Sequence, residues 1–175
     1  MRACEQAPGL NMLEHGQAVH LAYCQLIRAL EAQAPVYREM LPLYARLKPL
    51  LPEPAALARI HLYHDCGKHL ALTFCEGRRQ YPNHAEISAE QYAKLFPEDL
   101  QGQRLIALDM AFHTCRGAAL VELCQDPLAP ILYLTAWAEI NANALMFGGR
   151  DSDSYKIKRS RLLQAGKKLL NHFDQ

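Results

Sequence analysis

The residues able to do chemistry in this chain are concentrated in residues 61–69, HLYHDCGKH. His64 and Asp65 are adjacent, and imidazole and carboxylate are ligands for divalent transition metals. Lys68 follows one helical turn after His64 and can hold an anion beside such a metal. These polar residues follow Leu57 at one-turn spacings, so they lie on the same, buried face of the predicted helix. A buried charge must be paired or bind a metal. The local pattern therefore favours two interpretations equally: a metal site, or a solvated helix end with an ordinary His-Asp pair.

Residues 64–68, His-Asp-Cys-Gly-Lys, resemble the HD-x-G-K signature of the HD superfamily of metal-dependent phosphohydrolases. That family surrounds one or two metal ions with histidines and acidic residues in an all-helical domain. The resemblance implies a divalent transition metal as cofactor, with Mn, Fe, Co, Ni, Zn or Mg as the candidates. It also implies that Asp65 is a catalytic metal ligand and that Lys68 assists catalysis beside the substrate phosphate.

Three further histidines resemble the outer ligands of this family. His15, on an early amphipathic segment, is similar to the first ligand, whereas the nearby His20 is predicted to lie on the helix surface. His84, at a predicted helix start, resembles the next ligand, because the helix dipole there favours a neutral ring. His113 resembles the histidine found in two-metal members. Ligation by both His84 and His113 would imply a dinuclear centre.

The distal aspartate of the family has no counterpart in residues 132–139, LYLTAWAE. Glu139 is the one acid in this apolar segment, and Asn143 follows it by one turn. Glu139 is therefore predicted either to serve as a metal ligand or water-orienting group, or to form a salt bridge within the bundle. Asp109, one turn before His113, is a reserve candidate for orienting a ligand.

Basic residues near two predicted turns are candidates for binding the phosphate of a substrate. Arginine binds phosphate bidentately and lysine binds it as a point charge. The alternative for each is a solvated surface position. The candidate substrate-binding residues are Arg78, Arg79, Arg150, Lys156 and Lys158.

Composition indicates a globular protein with no strong overall electrostatic field. Half of the 175 residues are apolar and 21% are charged, which excludes a charged disordered chain. The net charge of +1 argues against general nucleic-acid binding. Residues 1–9 lack the apolar run of a signal sequence, and no segment is long enough to cross a membrane, so we expect a cytoplasmic protein. The six cysteines form no CxxC pair and are expected to be free thiols.

Helical periodicity dominates the rest of the chain, so we predict an all-α fold, a single HD-type domain over residues 1–175. A short hairpin-like excursion is expected near residues 72–81, with Glu76 and Gly77 at its turn. Asn83 and Glu86 are expected to form a capping box before a helix that begins at His84. Other helices are predicted at 11–33, 36–50 (kinked by prolines), 55–69, 98–114, 118–125, 130–147 and 154–173.

The expected activity is hydrolysis of a small phosphate ester, with a nucleotide as the favoured substrate and a metal-activated water as nucleophile. The last helix also resembles that of small HD proteins of tailed phages, which would place the protein in a host cytoplasm. Two alternatives remain open. Some HD-fold proteins with a di-iron centre use dioxygen to cleave C–C or C–P bonds, and a changed distal ligand would also suit a non-catalytic nucleotide-binding protein.

Overall fold

The computed structural model describes Met1, residues 5–7 and residues 10–174, and it is almost entirely helical. The α-helices are α1 (Met12–Glu31), α2 (Leu41–Leu47), α3 (Ala58–Tyr63), α4 (Lys68–Ala71), α5 (His84–Leu95), α6 (Leu100–Ala107), α7 (Ala111–Thr114), α8 (Gly117–Cys124), α9 (Ala129–Ala142) and α10 (Asp153–Phe173). Short 3-10 helices span Pro35–Met40, Lys48–Leu50, Pro54–Leu57 and Leu145–Phe147. Strands β1 (Glu5–Ala7) and β2 (Leu10–Asn11) pair antiparallel, as do β3 (Thr73–Cys75) and β4 (Arg78–Gln80). The predicted all-α class is confirmed.

The β3–β4 hairpin forms where the sequence predicts it. Its register pairs Thr73 with Gln80 and Cys75 with Arg78. Glu76 and Gly77 both have positive φ angles, 50° and 73°, as a two-residue type I′ turn requires. Both strands are exposed along their length, so this hairpin stands outside the core.

The core is built around α9, which is apolar on all sides. Its residues from Ala129 to Ala138 are buried, as a helix without a polar face must be in a globular protein. Helix α1 packs against α9 and α3, and α10 covers α9 from another side. Asn11 caps α1 by accepting hydrogen bonds from the amides of Leu13 and Glu14, which fixes where this helix begins. The elements that carry His15 and Glu139 are thus among the most tightly packed.

Two predicted long helices are interrupted, and one predicted cap is wrong. The helix expected over 55–69 breaks into a 3-10 turn, α3 and α4, with turns at residues 64–67, and the helix expected over 98–114 breaks at residues 108–110. Helix α9 ends at Ala142, short of the predicted 147. Helix α5 begins at His84 as predicted, but Asn83 has a left-handed φ of 54° and its side chain makes no capping hydrogen bond. This conformation prevents the predicted capping box with Glu86.

A polar network joins α3, α5 and α6. The Asp99 carboxylate accepts hydrogen bonds from the Tyr92 hydroxyl at 2.5 Å and from Arg59 at 2.7 Å. It also accepts the amide of Gly102 at 2.9 Å, which caps α6. The Arg59 guanidinium lies 4.5 Å from the centre of the Phe96 ring. These charge-assisted contacts hold α5, and with it His84, in place beside α3.

The cysteines within the described residues are unpaired: Cys24, Cys66, Cys75, Cys115 and Cys124. Cys4 lies outside the described residues. Within the described part of the chain, no helix combines the length and the apolar character needed to span a bilayer.

Gly16 brings α1 into direct contact with the backbone of α3. A Cβ at this position would lie 2.7 Å from the carbonyl oxygen of Leu62 and 2.8 Å from that of His61. Because backbone atoms cannot rotate away, only glycine allows this approach. The contact sets the distance between His15 and the segment that contains His64.

Gly16→Ala is therefore expected to lower the free energy of unfolding by about 1–3 kcal/mol through overpacking. Urea denaturation measures this loss. Gln17→Ala, at the exposed neighbouring position, serves as the control and should change stability by less than about 0.5 kcal/mol. Equal stability of the two variants would show that α1 and α3 are not held at this distance.

Candidate metal centre

Four side chains from three separate elements converge in the interior of the bundle. His15 comes from α1, His64 and Asp65 from the turn after α3, and Glu139 from α9. His15 Nε2 lies 3.5 Å from Asp65 Oδ2 and 3.5 Å from Glu139 Oε1. His64 Nε2 lies 2.8 Å from Glu139 Oε1 and 3.5 Å from Asp65 Oδ2. Two imidazole nitrogens therefore face two carboxylate oxygens in a space from which bulk water is excluded.

The orientation of His64 is fixed by the backbone. Its Nδ1 lies 2.6 Å from the carbonyl oxygen of His61. A carbonyl only accepts, so Nδ1 carries a hydrogen and Nε2 of the neutral ring presents a lone pair to Glu139. Two lone pairs at this distance repel unless positive charge lies between them, and either a proton or a metal ion supplies it.

Two buried polar atoms of the cluster lack a hydrogen-bond partner among the described residues. They are both ring nitrogens of His15, whereas Nε2 of His64 and Oε1 of Glu139 have only each other, at 2.8 Å, when Nε2 carries a proton. Buried polar atoms without partners are rare in proteins and require an explanation. Ligand atoms of His15, His64 and Asp65 lie within 4.8 Å of one another, as do those of His64, Asp109 and Glu139. The residues present thus fit a divalent cation.

The electrostatics of the cluster favour a cation at its centre. Burial lowers the pKa of His64, but the carboxylates of Asp65 and Glu139 outweigh burial and raise that pKa to about 10. Burial raises the pKa of Glu139, yet His64 and His15 hold it well below its ordinary value. Burial also raises the pKa of Asp65, but the positive charges of His64 and Lys68 outweigh burial and hold that pKa below its ordinary value. Both carboxylates are therefore ionised at neutral pH and demand positive charge between them.

His84 approaches the cluster from α5 with its ring oriented in the same way. Its Nδ1 donates to the carbonyl oxygen of Tyr81 at 2.9 Å, which leaves the lone pair on Nε2. That nitrogen lies 3.7 Å from Asp65 Oδ1. His84 thus lies beside the cluster but outside both groups of closely spaced ligand atoms, and its role as a ligand stays a prediction.

Gly67 and Cys66 explain how the turn after α3 is held against α5. A Cβ at Gly67 would lie 2.6 Å from the amide nitrogen of Ser88, so glycine is required there. The Gly67 amide donates to Ser88 Oγ at 3.0 Å. Cys66 Sγ donates to the Ser88 carbonyl, and burial raises the pKa of this thiol to about 11. Cys66 therefore fixes the turn and is not a metal ligand.

Asp109 belongs closer to the centre than the sequence indicated. It lies in the turn between α6 and α7, is buried, and shares a group of closely spaced ligand atoms with His64 and Glu139. Burial raises the pKa of Asp109 to about 7. The one-turn spacing between Asp109 and His113 was the one feature of the sequence that indicated a role for Asp109. His113 lines the adjoining cavity but lies outside both groups of closely spaced ligand atoms, and burial lowers its pKa.

A cavity of about 470 Å³ opens above the cluster. Its floor includes His64, Asp65 and Glu139. Lys68 also lines it, with Nζ 2.8 Å from Asp65 Oδ2 and 5.4 Å from the centre of the Tyr81 ring. Of the predicted substrate-binding residues, Arg79 and Lys158 line this cavity, while Arg78, Arg150 and Lys156 are not part of its wall.

His20 is not the solvent-facing histidine that the sequence favoured. It is half-buried, and its Nδ1 lies 3.1 Å from Nδ1 of His61. The His61 ring in turn reaches Thr135 Oγ1 at 3.1 Å, and burial lowers the pKa of His61 to about 3. This neutral network fixes the residue whose carbonyl orients His64.

No family model matches the chain, and neither a curated protein nor a solved structure matches it.

Metal binding is expected to release at least one proton per ion near neutral pH, because the raised pKa of His64 keeps Nε2 protonated until the ion displaces that proton. Asp65 and Glu139 are already ionised and release none, whereas Asp109, with a pKa of about 7, adds a fraction of a proton. Metal affinity should therefore rise with pH until the pKa of His64 is passed. Calorimetric titration with Mn²⁺ or Zn²⁺ in buffers of different ionisation enthalpy measures the released protons. Affinity that is independent of pH would contradict the assignment of His64.

Proposed function

We propose that this protein is a metal-dependent phosphohydrolase of the HD superfamily and that it acts on a small phosphate ester, with a nucleotide as the favoured class. The observation that carries this proposal is the position of His64, Asp65 and Glu139 at the floor of a cavity whose wall carries three basic side chains. The unpartnered Nε2 of His15 lies 3.5 Å from both carboxylates. A metal-binding floor beneath a basic wall suits a phosphate group.

His15, His64, Asp65 and Glu139 would hold the first ion, with His84 beside them. When bound, a divalent ion supplies Lewis acidity, which lowers the pKa of a coordinated water and offsets charge on phosphoryl oxygens. Asn143 Nδ2 donates to Glu139 Oε2 at 2.9 Å and so directs the other carboxylate oxygen toward the two histidines. Asp109 would join the same ion, because it shares closely spaced ligand atoms with His64 and Glu139, and His113 remains the candidate for a second ion.

Lys68 is placed to act on the substrate. Its ammonium pairs with Asp65 in the cavity wall, within reach of any phosphate held above the floor. Positive charge at this point stabilises negative charge that develops on phosphoryl oxygens during transfer.

The size and lining of the cavity support a nucleotide as substrate. About 470 Å³ lies within the range of pockets that bind small molecules. Tyr81 and Phe147 contribute aromatic surface beside the basic residues, which suits a ligand with a flat ring and a charged end.

A hydrolysis screen over nucleotides and simple phosphate esters, combined with elemental analysis of the purified protein, tests the proposal. Release of inorganic phosphate that depends on the bound metal supports it. Oxygen consumption with a substrate, without phosphate release, would favour the di-iron oxygenase alternative. Tight nucleotide binding without turnover of any compound would favour the non-catalytic one.

Asp65→Ala should remove most of the bound metal and nearly all turnover, because it deletes one of the two carboxylates that neutralise the ion. Asp151→Ala, at an exposed position, is the control and should keep both properties. Inductively coupled plasma measurements and phosphate release are the readouts. Unchanged metal content with unchanged turnover in Asp65→Ala would exclude this centre.

Lys68→Met should lower kcat on the order of a hundredfold, because it removes a charge expected to act mainly in the transition state. Metal content and melting temperature should remain near those of the wild type, since the apolar part of the side chain is kept. Lys94→Met, on the exposed surface of α5, is the matched control. Loss of metal from Lys68→Met would instead place this residue among the groups that hold the ion.

A further inference from the structure

The upper wall of the cavity carries positive charge that no protein carboxylate offsets. Lys158 from α10 and Arg79 from β4 both line the cavity. Within residues 10–174, no carboxylate oxygen lies at ion-pair distance from either side chain, whereas Arg159, the next residue on α10, reaches Glu39 at 3.2 Å. Unpaired cations in a partly enclosed cavity attract an anion.

Lys158 is held at the cavity rather than extended into solvent. Its side chain is half-buried, and Nζ lies 4.8 Å from the centre of the Phe147 ring. A cation–π contact restricts the position of an ammonium group but leaves its charge uncompensated. Lys68 differs, because its charge already faces Asp65. Lys158 is thus the ammonium in this wall whose partner must come from a ligand.

When an ion is bound, His64 is a neutral ligand and the nearby positive charge favours the ionised form of Asp109, so the side-chain charges that line the cavity cancel. Three carboxylates, Asp65, Asp109 and Glu139, are then matched by three cations, Lys68, Arg79 and Lys158. The two groups of closely spaced ligand atoms share His64, which has only the Nε2 lone pair to offer, so they describe one ion position. One divalent ion there leaves two positive charges uncompensated. A dianion neutralises them, and a monoanion leaves one.

We propose that the cavity selects phosphomonoester dianions over phosphodiesters, and that Lys158 is the specificity-determining residue that binds the additional charged oxygen. A monoester has three non-bridging oxygens and two negative charges, whereas a diester has two such oxygens and one charge. The inference rests on the proposed function, because it assumes a divalent ion on the floor and a phosphoryl group above it.

The test compares methyl phosphate with dimethyl phosphate, which differ in charge and little in size. Each is titrated calorimetrically into Mn²⁺-loaded protein well above the second phosphate pKa of about 6. We expect the wild type to bind methyl phosphate about tenfold or more tightly than dimethyl phosphate. Lys158→Met should lower methyl phosphate affinity by about tenfold and leave dimethyl phosphate affinity nearly unchanged. Lys158→Arg, which keeps the charge, should retain most of the preference.

Lys167→Met is the matched control, because Lys167 lies exposed on the same helix away from the cavity. Equal affinity of the wild type for the two ligands, or equal loss of both in Lys158→Met, overturns the inference. Hydrolysis of esters without a charge preference would leave the proposed function standing and refute only this step. Dianion-selective binding that depends on Lys158, without hydrolysis of any ester, would retain the selectivity and refute the hydrolase.

Discussion

The burial of two carboxylates against two histidines is the constraint on which the rest of the structure depends. Asp65 and Glu139 lie together between α1, the turn after α3, and α9, where their side chains are only 3% and 12% exposed and solvent screens them weakly. Buried ions cost several kcal/mol each unless they are neutralised at close range. A protein selected for stability alone would place apolar side chains here. His64 and Lys68 supply part of the neutralising positive charge, and the cluster could hold a cation that supplies the rest.

The surrounding helices make this arrangement rigid. Helix α9 is buried along most of its length, so the packing of the whole helix determines the position of the Glu139 carboxylate. Gly16 and Gly67 allow α1 and α5 to approach the segment between them at backbone contact. These close approaches bring His15 and His84 to the same carboxylate, Asp65, from opposite directions in the sequence. Precise placement of ligands on packed helices is what a metal site needs.

The floor and the wall of the cavity are supplied by different elements of the fold. The floor belongs to the core. Arg79 comes from an exposed hairpin, Phe147 from the 3-10 helix after α9, and Lys158 from α10. Gly148 and Gly149, both with positive φ, turn the chain between those last two residues. Binding residues on peripheral segments can change without disturbing the ligand cluster. Substitutions at the wall would therefore change which ligand fits without changing the residues of the floor.

Local sequence determined much of this protein: the helical class, the type I′ hairpin at Glu76 and Gly77, and the adjacent His64 and Asp65 that become part of the buried cluster. These follow from periodicity, turn propensity and neighbouring residue types, which act over a few positions. Tertiary structure decided that Glu139 faces the histidines, that Asp109 joins them, and that Lys158 lines the cavity while Lys156 does not. It also interrupted the helix around Gly67 and packed the half-buried His20 against His61. Such outcomes depend on contacts between residues far apart in the chain, where packing and the neutralisation of buried charge override local preference.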